Sequence, residues 1–132
     1  MVWEEILGFG VRFYSPDGIV SPVVKYIFRQ VKKDAKFAKK IMTDIEILPQ
    51  KIYTNRDIKP IKYKNIKFYE LKITSETNIS RIFFVIDKSN IVVFHGFTKK
   101  SQQIKQADLK QGINNYLDYL KTKKIIKIKL IY

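Results

Sequence analysis

Two stretches of the chain repeat their apolar residues at helical spacing, and three later ones carry them in short dense runs of the kind that form buried strands. The first helical stripe is Val20, Val24, Ile27, Phe28 and Val31, opened by Ser21 as N-cap with Pro22 at the first helical position. After the polar break Lys32-Lys33-Asp34 a second stripe runs through Phe37, Ala38, Ile41, Ile45 and Leu48, and Pro49 is expected to stop it. This pattern predicts a helical hairpin or one long bent helix. Upstream, Val11 to Tyr14 predicts a short strand closed by the turn Ser15-Pro16-Asp17-Gly18. From Gln50 to Asn65 there is no clean period and Pro60 sits among lysines, which predicts a loop.

Runs rich in Ile, Val and Phe then predict strands over Ile66–Ile73, Ile79–Ile86 and Ile91–Phe97. Their short polar links make an antiparallel meander. Leu109, Ile113, Tyr116, Leu117 and Leu120 share one face of a closing helix that would cover one side of the sheet. The tail from Lys123 to Tyr132 alternates Lys with Ile and Leu, which fits an extra edge strand or a basic tail. Truncation after Thr122 is therefore expected to leave a folded protein. The fold class is α+β: a helical hairpin, a mainly antiparallel sheet and a C-terminal helix in a single domain, residues 1–132.

Composition narrows the chemistry. There is no cysteine and a single histidine, His95, so thiolate sites and motifs needing two imidazoles are excluded, and neither a metal nor a cofactor is expected. No apolar stretch approaches the roughly 20 residues of a membrane span, and Glu4 and Glu5 stand where a signal peptide would be basic; a soluble, cytoplasmic protein without a membrane partner is expected. The formal charge is +14, and it is uneven: residues 1–50 hold 8 basic and 6 acidic side chains, residues 51–132 hold 18 and 6. Such a field favours polyanions, so nucleic acid is the expected partner, although lysines also serve simple solubility. Lys62, Lys64, Lys67 and Lys105 are the candidate RNA contacts of this basic half.

The order of short motifs is specific. Val11-Arg12-Phe13-Tyr14 followed by Gly18 and Ser21-Pro22-Val23-Val24 is similar to the entry of HigB-like, phage-derived toxins of the RelE/ParE superfamily. Tyr69-Glu70-Leu71-Lys72 resembles that family's W/Y-E-L-R strand, Ser80-Arg81-Ile82-Phe83-Phe84 its Y-R-I/V strand, and His95-Gly96-Phe97-Thr98-Lys99-Lys100-Ser101-Gln102 its H-x-F-x-K-K-T/S-Q signature. The motif-bearing part covers about residues 11–121, leaving 122–132 as an addition. Lys72 departs from the usual arginine, Ser80 from a tyrosine, and Lys105 stands near an expected proline. The resemblance implies a microbial RNase-like fold, cleavage of messenger RNA on the ribosome, and a cognate antitoxin, commonly a helix-turn-helix protein. Gyrase-inhibiting toxins share the fold, and a catalytically inactive RNA-binding relative is the other alternative.

RNA can be cut without metal because its own 2′-hydroxyl is a nucleophile; the protein must remove that proton, stabilise the phosphorane and protonate the leaving 5′-oxygen. Lys72, Arg81, Lys99, Lys100 and His95 are the candidate catalytic residues. Arginine suits phosphate because its fork holds two oxygens, so Arg81 is the expected clamp, and Arg81→Ala is expected to abolish activity in a folded protein. A lone strand arginine also pairs with an acid such as Glu70. Lys99 and Lys100, between strand and helix, fit phosphate contacts or a solvated pair. Strand alternation puts His95 on one face with Ile91, Val93 and Phe97, which reads as a packed core histidine as readily as a general acid or base. The strand aromatics Tyr63, Tyr69, Phe83, Phe84, Phe94 and Phe97 fit a core or a base-stacking platform. An antitoxin is expected to cover the basic face or the helical hairpin.

Overall fold

The computed structural model describes residues 10–52, 57–100 and 104–128. Strand β1 (Gly10–Tyr14) leads into helices α1 (Pro22–Lys33), α2 (Ala35–Glu46) and the single turn α3 (Leu48–Lys51). Strands β2 (Ile58–Tyr63), β3 (Ile66–Thr74), β4 (Ile79–Asp87) and β5 (Asn90–Lys99) follow, then α4 (Gln106–Thr122) and a two-residue strand β6 (Ile125–Ile126). The strands form one six-stranded sheet in the order β2-β3-β4-β5-β1-β6, antiparallel except where β1 lies parallel to β5. This is the expected α+β arrangement, with the hairpin on one face of the sheet and α4 on the other.

One residue makes the first two helices a hairpin instead of a bent rod. Asp34 is extended (φ −159°, ψ 91°), its N–H donates to Gln30 O to end α1, and its carboxylate accepts from Phe37 N at 3.1 Å to start α2. A short acceptor side chain in β conformation can serve both ends at once. Ser21 caps α1 as expected, accepting from Val23 N and Val24 N. Pro49 does not stop α2. That helix already ends at Glu46, and Pro49 sits in the first turn of α3, where a missing N–H costs nothing.

The stretch expected to be a loop contains β2. Ile58–Tyr63 pairs with β3 over six residues, from Ile58↔Leu71 to Tyr63↔Ile66. Pro60 obscured it in the sequence, yet β2 is an edge strand with only one neighbour, and an edge tolerates a proline. Residues 53–56 of that expected loop lie outside the described residues. At the opposite edge the tail enters the sheet: Phe13 pairs with Ile126 and Tyr14 with Ile125, and Ser15 N donates to Lys124 O. Of the two readings of the tail, the edge strand is the observed one over Ile125–Ile126; residues 129–132 are outside the described part.

The hairpin face is a buried apolar layer in which Ile27, Phe37, Ile41 and Ile45 meet Leu71, Ile82, Phe84 and Val93. The α4 face is built from Phe68, Phe83, Phe94 and Phe97 under Ile113 and Tyr119, with edge-on and tilted ring contacts such as Phe68–Phe94 at 5.2 Å. Helix α4 seats closely because residue 112 is glycine: a Cβ there would stand 2.5 Å from the Phe83 ring. Its far end is tied by Tyr14 Oη to Asp118 and by Tyr119 Oη to Asp87, both at 2.6 Å, while Lys123 Nζ reaches Asp87 at 2.8 Å. No helix among the described residues is long and apolar enough to cross a membrane.

Candidate active site

Strand alternation sorts the candidate residues onto faces, and cross-strand register aligns them in rows. On the α4 face, Lys72 of β3 lies opposite Arg81 of β4, which lies opposite Phe97 of β5. The adjoining row is Lys59, Glu70, Phe83 and His95 across β2 to β5. Beyond the end of α4 these rows floor a groove of about 480 Å³, lined by Lys59, Pro60, Ile61, Glu70, Lys72, Arg81 and Ile104. Three cations and one carboxylate therefore face a partly apolar cleft.

Arg81 is 5% exposed and Glu70 3%, and Arg81 Nη1 donates to Glu70 Oε1 at 2.8 Å. The pair bridges the two rows diagonally and aims the guanidinium. Its burial alters the consequence of removing Arg81: truncation leaves the Glu70 carboxylate buried without its partner, which destabilises the fold as well as the site. Lys72, half-buried, and Lys59, exposed, flank the pair along the groove. Lys59 and Glu70 were not among the sequence candidates. Lys59 lay in the supposed loop, while Glu70 stood inside the strand motif and signalled itself only as Arg81's possible partner.

Lys99, at the end of β5, falls on the same face one row beyond Arg81 and approaches Asp108 in the first turn of α4 at 3.7 Å. Lys100 is exposed at the strand end, and residues 101–103 of the signature lie outside the described residues. Lys105 is exposed immediately before α4 and makes no side-chain cap. The structure does not bring the remaining lysines to the groove. Lys62 and Lys67 pair with each other across β2 and β3, on the sheet face opposite Arg81, and Lys64 sits in the β2–β3 turn with its ammonium 5.5 Å from the Tyr63 ring centroid. Period two forces this: Lys67 and Glu70 differ by an odd number of residues and so point to opposite sides.

His95 is placed differently from its counted face. The register steps from Phe83↔His95 to Phe84↔Val93, so β5 carries one extra residue, Phe94, at a bulge. The phase of the strand changes there. Ile91 and Val93 join the hairpin layer, whereas His95 lies with Phe97 and Phe83 under α4, ring centroids 5.3 and 5.5 Å away. Asn115 Nδ2 of α4 donates to Phe94 O at this bulge. Burial holds the imidazole neutral and lowers its pKa to about 4, opposed only in part by Asp108. Its Nε2 has no hydrogen-bond partner among the described residues.

The motif's other departure falls away from the groove. Ser80 is fully buried on the hairpin face, where the Tyr26 hydroxyl of α1 bonds its Oγ at 2.6 Å and also bonds Thr98 Oγ1. Phe83, Phe94 and Phe97 are core rings, and Phe84 stacks on half-exposed Tyr69 of the opposite face. Among the described residues no group of three His, Cys, Asp or Glu stands together as a metal-binding cluster.

No curated protein and no solved structure matches the chain. One family does: its model, described as Phage derived protein Gp49-like (DUF891), matches residues 28–116, from the middle of α1 to the middle of α4 and across strands β2 to β5, which include the groove. That match covers well over half of the chain, and the protein belongs to the phage-derived Gp49-like family.

Proposed function

We propose that the protein is a HigB-like toxin of a type II toxin–antitoxin pair, an endoribonuclease that cuts messenger RNA on the ribosome by metal-independent attack of the 2′-hydroxyl. The observation that carries this reading is the groove itself, which Arg81, aimed by Glu70 and flanked by Lys72 and Lys59, lines on a basic half-chain. The family's association with toxins of toxin–antitoxin pairs supports it. Arg81 would hold two phosphate oxygens and bind the phosphorane more tightly than the ground state, while Lys72 and Lys59 neutralise the neighbouring charge. Glu70 is the carboxylate of the groove and the group best suited there to take the 2′-hydroxyl proton. An imidazole with pKa near 4 is neutral at pH 7 and a poor proton donor. The leaving 5′-oxygen is therefore assigned to a lysine, Lys72 or Lys99, and His95 to packing.

Of the departures from the family motifs, Lys72 lies in the groove, whereas Ser80 lies across the sheet from it and does not bear on an inactive relative. The test is cell-free translation with purified protein. Cleavage within the reading frame of a translated message is expected; arrest without cleavage would overturn the nuclease reading, and breakage of supercoiled DNA before RNA in poisoned cells would favour a gyrase target.

A further inference from the structure

The outer side of α1 is unlike the rest of the hairpin. At about 100° per residue, Val23, Ile27 and Gln30 point into the core with Val24 at its margin, and Phe28 and Val31 turn outward, with Val20 just before the N-cap. Val24 is buried, but Phe28 is 64% exposed and Val31 41%, and Ile19 beside the N-cap is 76% exposed. The stripe beyond that carries Lys25, Arg29 and Lys32, all exposed, and α1 contains no acidic residue. An apolar shoulder of Phe28 and Val31, with Ile19 and Val20 exposed before the helix start, thus lies alongside a row of cations. Asp17, the carboxylate of the preceding turn, is engaged by Ser15 Oγ and the amides of Ile19 and Val20. Asp34, at the other end, caps α2.

We infer that this shoulder is a docking surface for an acidic amphipathic helix of a partner protein. Recognition of an amphipathic helix uses apolar anchors at intervals of three and four; Phe28 and Val31 stand three apart, and the Lys25–Arg29–Lys32 row demands carboxylates one stripe away. A second copy of this chain fits poorly, since face-to-face packing would oppose two such rows on molecules of charge +14. A membrane surface fits poorly as well: most of α1's apolar perimeter is already spent on the core, leaving a strip instead of the broad face that interfacial helices insert. The surface lies on the sheet layer opposite the groove, so an occupant there leaves Arg81 accessible. The inference rests on α1 alone and not on the nuclease reading.

The experiment uses the full chain and two fluorescein-labelled helical peptides with the same leucine stripe, one flanked by glutamates and the other by lysines. Anisotropy titration should show the acidic peptide binding at least tenfold more tightly than the basic one, with affinity falling as salt rises. Phe28→Ser and Arg29→Glu, both exposed and expected to fold, should each weaken binding tenfold or more. Equal binding of both peptides, no binding of either, or retention of affinity in both variants would overturn the inference. So would tighter binding to anionic phosphatidylserine vesicles lost in Phe28→Ser, or a dimer in sedimentation that the same variant dissolves. Trp3 is the only tryptophan and provides a last control. If its emission shifts in Phe28→Ser without peptide, residues 1–9 occupy the shoulder and an external partner is overturned.

Discussion

The two faces of the sheet solve different problems with the same strands. Against the hairpin, Leu71, Ile73, Ile82, Phe84 and Val93 meet the helices in a continuous apolar layer, and the hydroxyls of buried Tyr26 and Ser80 and half-buried Thr98 satisfy one another. Against α4, the core of aromatic rings gives way, one row on, to a buried ion pair and a neutral histidine, then to an open groove. The hairpin closes its side over β3, β4 and β5 and leaves Lys62, Lys67 and Tyr69 exposed toward the β2 edge, whereas α4 is one helix crossing a six-stranded sheet and leaves the groove over β2–β4 open. Incomplete cover creates the site. Charged groups there can remain partly buried, hence pre-oriented, and still reach a ligand.

The largest expected effect comes from breaking the ion pair. Arg81→Ala or Glu70→Ala should each lower stability by about 3–5 kcal/mol, as measured by urea unfolding, because each strands a buried charge. Replacing both by apolar residues should recover much of that loss without recovering activity. Ile41→Ala, on the hairpin face, should cost about 2–5 kcal/mol and yet leave cleavage by the folded fraction unchanged. Arg81→Lys keeps charge without the fork, so its rate should fall more than its stability. If Ile41→Ala impairs cleavage as much as Arg81→Lys, the faces are not functionally distinct.

The histidine supplies a pH signature to the α4 face. His95 titrates near 6.5 when unfolded and about 4 when folded, so the unfolded state binds the extra proton as pH falls between those values. Stability from this group is complete above pH 6.5 and is lost as pH drops toward 4, by about 3 kcal/mol in total. In His95→Phe, which keeps an aromatic ring between Phe83 and Phe97, unfolding should depend less on pH across that window. An unchanged pH profile would mean that the imidazole is more solvated than its 9% exposure implies.

Truncation after Thr122 sharpens the comparison from the far edge, because Ile126 and Ile128 pack on the hairpin core and Ile125 on the α4 core. A loss on the order of 2 kcal/mol is expected, given half-buried side chains and the lost pairing with β1. The groove lies at the other edge, so cleavage should survive at low temperature. The smallest effects concern single lysines. Lys59→Ala should reduce the salt dependence of RNA binding by about one unit of slope, as a lost phosphate contact does, and Lys62→Ala or Lys67→Ala on the opposite face by much less.

The sequence by itself determined the elements whose signals are local. Ser21-Pro22 and Asp34 fix helix ends through side-chain capping, and the Ile, Val and Phe runs specify β3, β4 and β5 wherever they pack. It also carried the charge imbalance and Arg81, which keeps its place in the strand motif although Ser80 replaces the tyrosine before it. Only tertiary structure decided the rest. Pro60 hid β2, because whether a proline is tolerated in a strand depends on lying at an edge, which is a property of the sheet. The bulge at Phe94 moved His95 to the other face, since one extra residue reverses every later alternation and nothing in Phe94 announces it. The groove joins Lys59, Glu70, Lys72 and Arg81 from three strands and Ile104 from the approach to α4, and a constellation so distant in sequence exists only once the strands are paired in register.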